Sequence, residues 1–411
     1  MSGSTPDPEE PATPEHGALA GVRIVDLTTV LMGPLATRML ADHGADVVKV
    51  EPLTGDPTRN SLPARHAGMS GFAMNLHRNK RSVALDLKHP EGRRAAHRLM
   101  GSADVVVSNV RRAALDRLDL GPAALRQEHP GLIFCIANGF GSNGPYAGRA
   151  AYDDVIQAAS GFAWLIGEVQ GEPGYVPSVV ADKVSGLTIV QAVLAALLHR
   201  ERTGQGQEIE VPMFETLVAF NLVEHLRGMT FEPPIGPFGY DRVLSRFRHP
   251  FRTSDGWVCL IPYTDANWRS FFAFCQRTEL ATDPRFVDHN SRISHIDELY
   301  AIVDEMAGEH TTVEWMTFCA EASVPAAPVL DLSRAEEDPH LDAVGLITRQ
   351  EHPTEGTYRY VRDPVLYAAT PTALRRHAPR LGQHTSEVLA EVGFGPGAIA
   401  ELVASGAAAQ G

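Results

Sequence analysis

Cysteine is scarce in this chain: four among 411 residues, at positions 135, 259, 275 and 319. None forms a CxxC pair, so neither a structural zinc site nor a disulfide framework is indicated. Each lies in an apolar stretch and reads as a buried, inert thiol. Basic residues are outnumbered, 36 against 50 acidic, for a net charge of −14. That deficit argues against a general nucleic-acid or anionic-membrane surface. No apolar run approaches the roughly 20 residues of a bilayer crossing. Residues 1–17 have neither the basic nor the apolar region of a signal peptide. They are rich in proline and glutamate and read as a disordered tail, so the cytoplasm is the default compartment. A P-loop, an HExxH pair and a serine nucleophile elbow are also missing. The histidines are scattered, with no partner at a metal-ligand spacing, so no metal is expected.

What remains is an ordinary globular composition, 44% hydrophobic and 21% charged, long enough for two domains. Apolar runs at 23–27, 46–50, 82–86, 104–107 and 132–137 read as strands, with helical spacing between several of them. Pro34 suits the first turn of a helix that Gly44 would stop. Strand, helix, strand implies right-handed crossovers and a parallel sheet, an α/β, Rossmann-like layout. Helical periodicity covers about 152–166, 183–202 and 213–229. A segment rich in proline, glycine and aromatics, 231–248, reads as a linker. A hairpin turning at Asp255-Gly256 and three helical segments follow. The expected division is a large domain at 18–229, a small α+β domain at 230–330, and a segment at 331–411 that packs back on the first.

Gly139-Phe-Gly141-Ser-Asn-Gly144 mimics a dinucleotide fingerprint after a strand. Pro145 follows at once, and no strand with a terminal acid stands where a ribose ligand belongs. Gly139 and Gly141 read instead as a loop that lets a substrate approach the backbone. Asp182 stands between an extended apolar run and a long helical pattern. A helix N-terminus favours an ionised carboxylate there. Two roles fit, an ordinary N-cap or the nucleophile of covalent carboxylate catalysis.

Several phrases occur in order: Gly21-Val-Arg-Ile-Val-Asp-Leu-Thr28, Gly33-Pro34, Leu40-Ala-Asp-His-Gly-Ala-Asp46, Asn79-Lys-Arg81, Ala103-Asp-Val-Val-Val-Ser-Asn109, Ala181-Asp-Lys-Val-Ser-Gly186, Gly204-Gln-Gly-Gln207 and Ala378-Pro-Arg-Leu-Gly382. Together they resemble the family III coenzyme A transferases, the CaiB/BaiF group, over about 19–395. The resemblance implies a Rossmann-like large domain built from both chain ends, a smaller domain and an interlocked homodimer. It implies Asp182 as the nucleophile that relays CoA from an acyl-CoA to a carboxylic acid acceptor. CoA is then a substrate, and no permanently bound cofactor is expected. CoA contacts carry over to Val30, Lys80, Asn109 and Arg117. Two carry-overs fail, because some members have lysine at the position of Ala150 and arginine at that of Pro52. A racemase branch has Gly-His-Asp where this chain has Ala151-Tyr152-Asp153. Tyrosine is a poor base near neutral pH, so Tyr152 reads as a wall of the acyl pocket. Gln157, farther along the same helical pattern, reads as a donor to substrate. An acyl-CoA racemase or isomerase of the same fold, and a catalytically idle CoA-binding protein, stay open as alternatives.

Overall fold

The computed structural model describes residues 17–411. Residues 1–16, most of the expected disordered tail, lie outside the described residues, and Gly17 is buried. The chain divides into two units. The first comprises residues up to 156, 178–217 and 342–411; the second comprises 157–177 and 218–341.

The first unit is built on a seven-stranded sheet. Its parallel strands are β1 (Arg23–Leu27), β2 (Asp46–Glu51), β3 (Lys80–Leu85), β4 (Val105–Ser108), β5 (Ile133–Asn138) and β6 (Glu208–Pro212). The order is β3-β2-β1-β4-β5-β6, with the short strand Ala408–Ala409 antiparallel on the outer edge of β3. This is the doubly wound order, whose direction reverses between β1 and β4. β1 to β4 are buried along almost their whole length because both faces of a parallel sheet are covered. Val25, Val48, Val83, Val106 and Phe134 pack there with Val388, Leu389, Ile399 and Leu402 from the C-terminal helices. Both ends of the described chain therefore build one core.

Charged residues also lie within this sheet. Lys80 Nζ is fully buried, 2.9 Å from Asp26 Oδ2, and donates to Pro34 O and Thr37 Oγ1 at 2.9 and 2.7 Å. Lys49 Nζ lies 3.1 Å from Asp56 Oδ2 and donates to Thr28 O at 2.7 Å. These partners hold the Asp26 carboxyl far below the usual carboxylate range despite its burial. A buried charge persists only when paired and hydrogen-bonded in this way.

The second unit holds a three-stranded antiparallel sheet of Phe251–Arg252, Trp257–Leu260 and Ala326–Pro328. Two of its helices are started by capping boxes, at Thr264 with Asn267 and at Thr311 with Glu314. Trp268, Phe271, Phe272 and Trp315 fill its core. The expected boundary shifts, because 157–177 and 218–229 belong here. Aromatic pairs account for it: Phe162 stacks on Phe220 at 6.4 Å, and Trp164 meets Phe238 at 5.8 Å. The helical pattern expected over 152–166 is broken by Gly161, at φ 91°, into Asp153–Ala159 and Phe162–Gln170.

Two sequence expectations are corrected. The segment after 330 carries an antiparallel hairpin, Ile347–His352 with Gly356–Val361, besides the edge strand. The helix Val180–Thr203, in which an 18-residue stretch has a mean hydropathy of 1.5, is long and apolar enough to cross a membrane by length and composition. The reading by runs missed it because Asp182 and Lys183 sit at one end and His199 and Arg200 at the other.

Candidate active site

A cavity of about 700 Å³ opens in the first unit where the strand order reverses. In doubly wound sheets, ligands bind at that point, beyond the carboxyl ends of the strands. Its walls come from the turn after β1, the segment after β4, the loop after β5 and the start of the long helix.

The turn after β1 is clamped residue by residue. Thr28 N and Oγ1 donate to Asp26 Oδ1 at 2.9 and 2.5 Å. Thr29 forms a reciprocal pair with the Asn109 amide, both bonds 3.0 Å long. Val30 then adopts φ +70°, a left-handed backbone that a β-branched side chain rarely takes. Such strain costs on the order of 1–3 kcal/mol and persists where the surroundings over-determine it, often at ligand sites. Gly33 makes the turn fit, since a Cβ there would stand 2.3 Å from Thr28 Cβ.

Asp182 is the third residue of the helix Val180–Thr203, whose N-cap position is Val179. It is not an N-cap, and its carboxylate has no hydrogen bond or ion pair among the described residues. Its backbone N–H donates to Asp153 Oδ1 at 3.0 Å, which holds the helix start to the chain after β5. The adjacent Lys183 Nζ turns to Ser178 Oγ at 2.8 Å. Gly186 lets this helix lie close to Met32, whose carbonyl a Cβ would meet at 3.0 Å. Burial, and then the charge of Asp153, push the Asp182 carboxyl up to about 7. Desolvation and the neighbouring carboxylate thus favour the neutral form, in opposition to the helix terminus, which favours the ionised one.

Val30, Asn109, Gly139, Tyr152 and Asp182 all line this cavity. Four other expected site residues do not. Lys80 is corrected as a direct contact, because its ammonium is fully buried and already bound to Asp26, Pro34 and Thr37. Gly141 donates its N–H to both Glu215 oxygens, and a Cβ there would stand 2.6 Å from Glu215 Oε1. Gly139 makes room for Ala151 Cβ, 2.3 Å from where its own would be. The two glycines thus serve loop packing. Gln157 belongs to the second unit, where its Oε1 accepts from Val176 N at 2.9 Å. Arg117 is exposed at the C-terminal end of the short helix Arg112–Asp116. Asn109 lines the cavity, but its amide is engaged with Thr29.

Arg111, Arg112 and Arg149 add cations to the wall. Arg112 pairs with Glu208, Arg149 lies over the Tyr146 ring at 4.1 Å, and Arg111 has no acidic partner among the described residues. Arg149 was missed in the sequence. The signal was adjacent, since it immediately precedes Ala150, where some members of the resembled family carry lysine. Glu210 was missed too; it braces the loop after β5 by accepting from Asn138, Ser142 N and Ser142 Oγ. Among the described residues no histidine lines the cavity, and no group of histidine, cysteine or acidic residues could hold a metal.

The arrangement presents the Asp182 carboxylate, held by no hydrogen bond, in a large cavity with three arginines. It suits attack on an activated acyl group carried by a long anionic ligand.

Residues 19–385 match CoA-transferase family III. The chain is 34% identical over 382 residues to a succinate–glutarate CoA-transferase of Agrobacterium fabrum, covering 91% of this chain and 95% of that one. It is 30% identical over 400 residues to a succinyl-CoA:glutarate CoA-transferase of Homo sapiens, covering 94% and 89%. Among solved structures, a CAIB/BAIF family protein from Brucella suis aligns with a TM-score of 0.77 at 29% identity, over 92% of this chain and 100% of that one. The protein belongs to the family III CoA-transferases.

Proposed function

We propose that the protein moves CoA between carboxylic acids through a covalent relay on Asp182. The observation that carries this is the unpartnered, half-buried Asp182 carboxylate lining the cavity at the strand-order reversal. The carboxylate attacks the thioester carbonyl and expels the CoA thiolate, leaving a mixed anhydride. The thiolate attacks the aspartyl carbonyl and releases the donor acid, leaving an aspartyl-CoA thioester. An acceptor carboxylate then attacks that thioester, forming a second anhydride and freeing the thiolate. The thiolate takes the acceptor acyl group and regenerates Asp182. Electrons and protons balance within the cycle. Dividing one transfer into four attacks is what covalent catalysis supplies. Because no hydrogen bond holds the Asp182 oxygens, attack sacrifices none.

The CoA phosphates would meet Arg111 and Arg149, with Arg117 just beyond on the same short helix as Arg112 and Asp116. Val30 and Tyr152 wall the acyl end. Succinyl-CoA with a short dicarboxylic acid acceptor is the pair we propose, following the relatives named for succinate and glutarate. The racemase reading is not supported, since the cavity wall offers Tyr152 where that branch has histidine.

We also propose a cytoplasmic homodimer. Leu187, Leu194 and Leu198 form one exposed stripe on the long apolar helix, 53%, 40% and 53% accessible. A second copy covering that stripe accounts for it without a membrane. Interlocking of the two copies belongs to this proposal.

The relay is tested by incubating the protein with succinyl-CoA in the absence of acceptor. The peptide holding Asp182 should gain the mass of CoA less one water, and hydroxylamine should convert the adduct to a hydroxamate. Active enzyme that never acquires this adduct would sink the mechanism.

A further inference from the structure

A second pocket, of about 170 Å³, lies wholly within the second unit, distinct from the residues that line the Asp182 cavity. We propose that it is a carboxylate-binding site, in which Arg242 takes the carboxylate of a small monocarboxylic acid and Trp268, Tyr263 and Tyr300 enclose its apolar body.

The charges decide the ligand class. Two arginines line the pocket. Arg292 is 3% exposed and neutralised, since its guanidinium pairs with Asp265 and also donates to Phe286 O at 2.9 Å. Arg242 has no acidic partner among the described residues. Its Nε donates to the Tyr240 hydroxyl at 3.3 Å, and Tyr300 stands beside it on the same pocket wall. The neighbouring acid, Asp241, pairs with Arg227 instead. One uncompensated cation therefore faces a small enclosed space. A guanidinium presents a planar fork that matches a carboxylate, and two tyrosine hydroxyls can accompany it as further donors. A phosphate normally draws several cations or a row of backbone N–H groups, and one free charge suits a single negative charge better.

The walls decide the body. Trp268 is 5% exposed and Tyr300 9%, whereas Tyr263 stands at the mouth, 66% exposed and with its ring 6.1 Å from that of His289. Ligand pockets typically combine such apolar and aromatic walls with a few convergent polar groups. The volume is close to the roughly 150 Å³ of an apolar cavity that holds benzene. That suits a ring or a short branched chain.

Benzoate is the probe, with benzamide as its uncharged isostere. Binding is read by calorimetry and by the fluorescence of Trp268, on the full chain carrying Asp182→Ala so that no turnover contributes. Benzoate should bind saturably. Benzamide should bind at least tenfold more weakly, and so should benzoate to the Arg242→Gln variant. Trp268→Phe should lose the fluorescence change. Arg246→Gln, which alters an exposed neighbour, should leave the affinity unchanged. No saturable benzoate signal, benzamide equal to benzoate, or full benzoate affinity in Arg242→Gln would each overturn the proposal. The Asp182→Ala background keeps this result separate from the relay, which has its own adduct test.

Discussion

Replacing Asp182 by asparagine should stop transfer and at the same time make the protein more stable, increasingly so as pH rises. The structure supplies the sign. Burial and the Asp153 charge favour the neutral Asp182 carboxyl in the folded state, where it titrates at about 7. In an unfolded chain an aspartate titrates near ~3.9. Ionisation therefore costs folding nothing below both values. The cost grows as the unfolded carboxyl ionises, and it becomes constant once the folded one has also ionised, above about pH 7. At about 1.4 kcal/mol per pH unit, the penalty is about 2 kcal/mol at pH 5.5 and about 4 kcal/mol above pH 8. Solvent reaching the carboxylate through the cavity screens the charge, and about half of that difference should survive. Asparagine is uncharged throughout. The stability advantage of Asp182→Asn should accordingly widen by ~1 kcal/mol between pH 5.5 and 8.5. Denaturant unfolding at matched protein concentration measures it. An advantage that is flat with pH, or that shrinks as pH rises, would refute the reasoning about this carboxylate.

Three further outcomes follow from the same geometry. The kcat/KM of the wild-type protein should rise with pH through an ascending limb near 7, and Asp153→Asn should move that limb to lower pH by removing the second cause of the raised value; a limb that stays in place would release Asp153 from this role. Lys80→Met should destabilise the first unit by about 3–5 kcal/mol, the scale of breaking a buried ion pair by removing one partner, since Asp26 keeps only Lys49 and its threonine hydrogen bonds, and a thermal melt within a degree or two of wild type would contradict it. Arg117→Ala should weaken CoA binding by about 1.5–3 kcal/mol, less at high salt, and unchanged calorimetry would leave Arg111 and Arg149 as the cations that serve CoA.

What was legible in the sequence follows how locally each feature is determined. β1 through β5 were legible because each is a short apolar run buried on both faces. β6 was not, because Glu208-Ile-Glu-Val-Pro212 carries acids at an edge of the sheet and follows a glycine-rich turn. The hairpin at 347–361 was hidden for a similar reason, with arginine, glutamine, glutamate and threonine along both strands. Asp182 stood out through its surrounding phrase, yet its raised pKa depends on burial and on Asp153, 29 residues earlier. Lys80 reads as a surface cation from its neighbours, and only Asp26, 54 residues earlier, turns it into a buried ion pair. Arg149 lies in a loop whose course no periodicity reveals.

The strand Ala408–Ala409 also constrains the order in which the first unit can fold on the ribosome. It closes the outer edge of β3, a strand translated long before it. Every residue of the second unit emerges before it does. The inserted unit can therefore reach its native packing while the nascent sheet that hosts it still lacks an edge. During that interval β3 offers unpaired backbone groups to any neighbouring chain, the template from which aggregation starts. Slow translation or early release of the last residues should thus tax solubility more than activity.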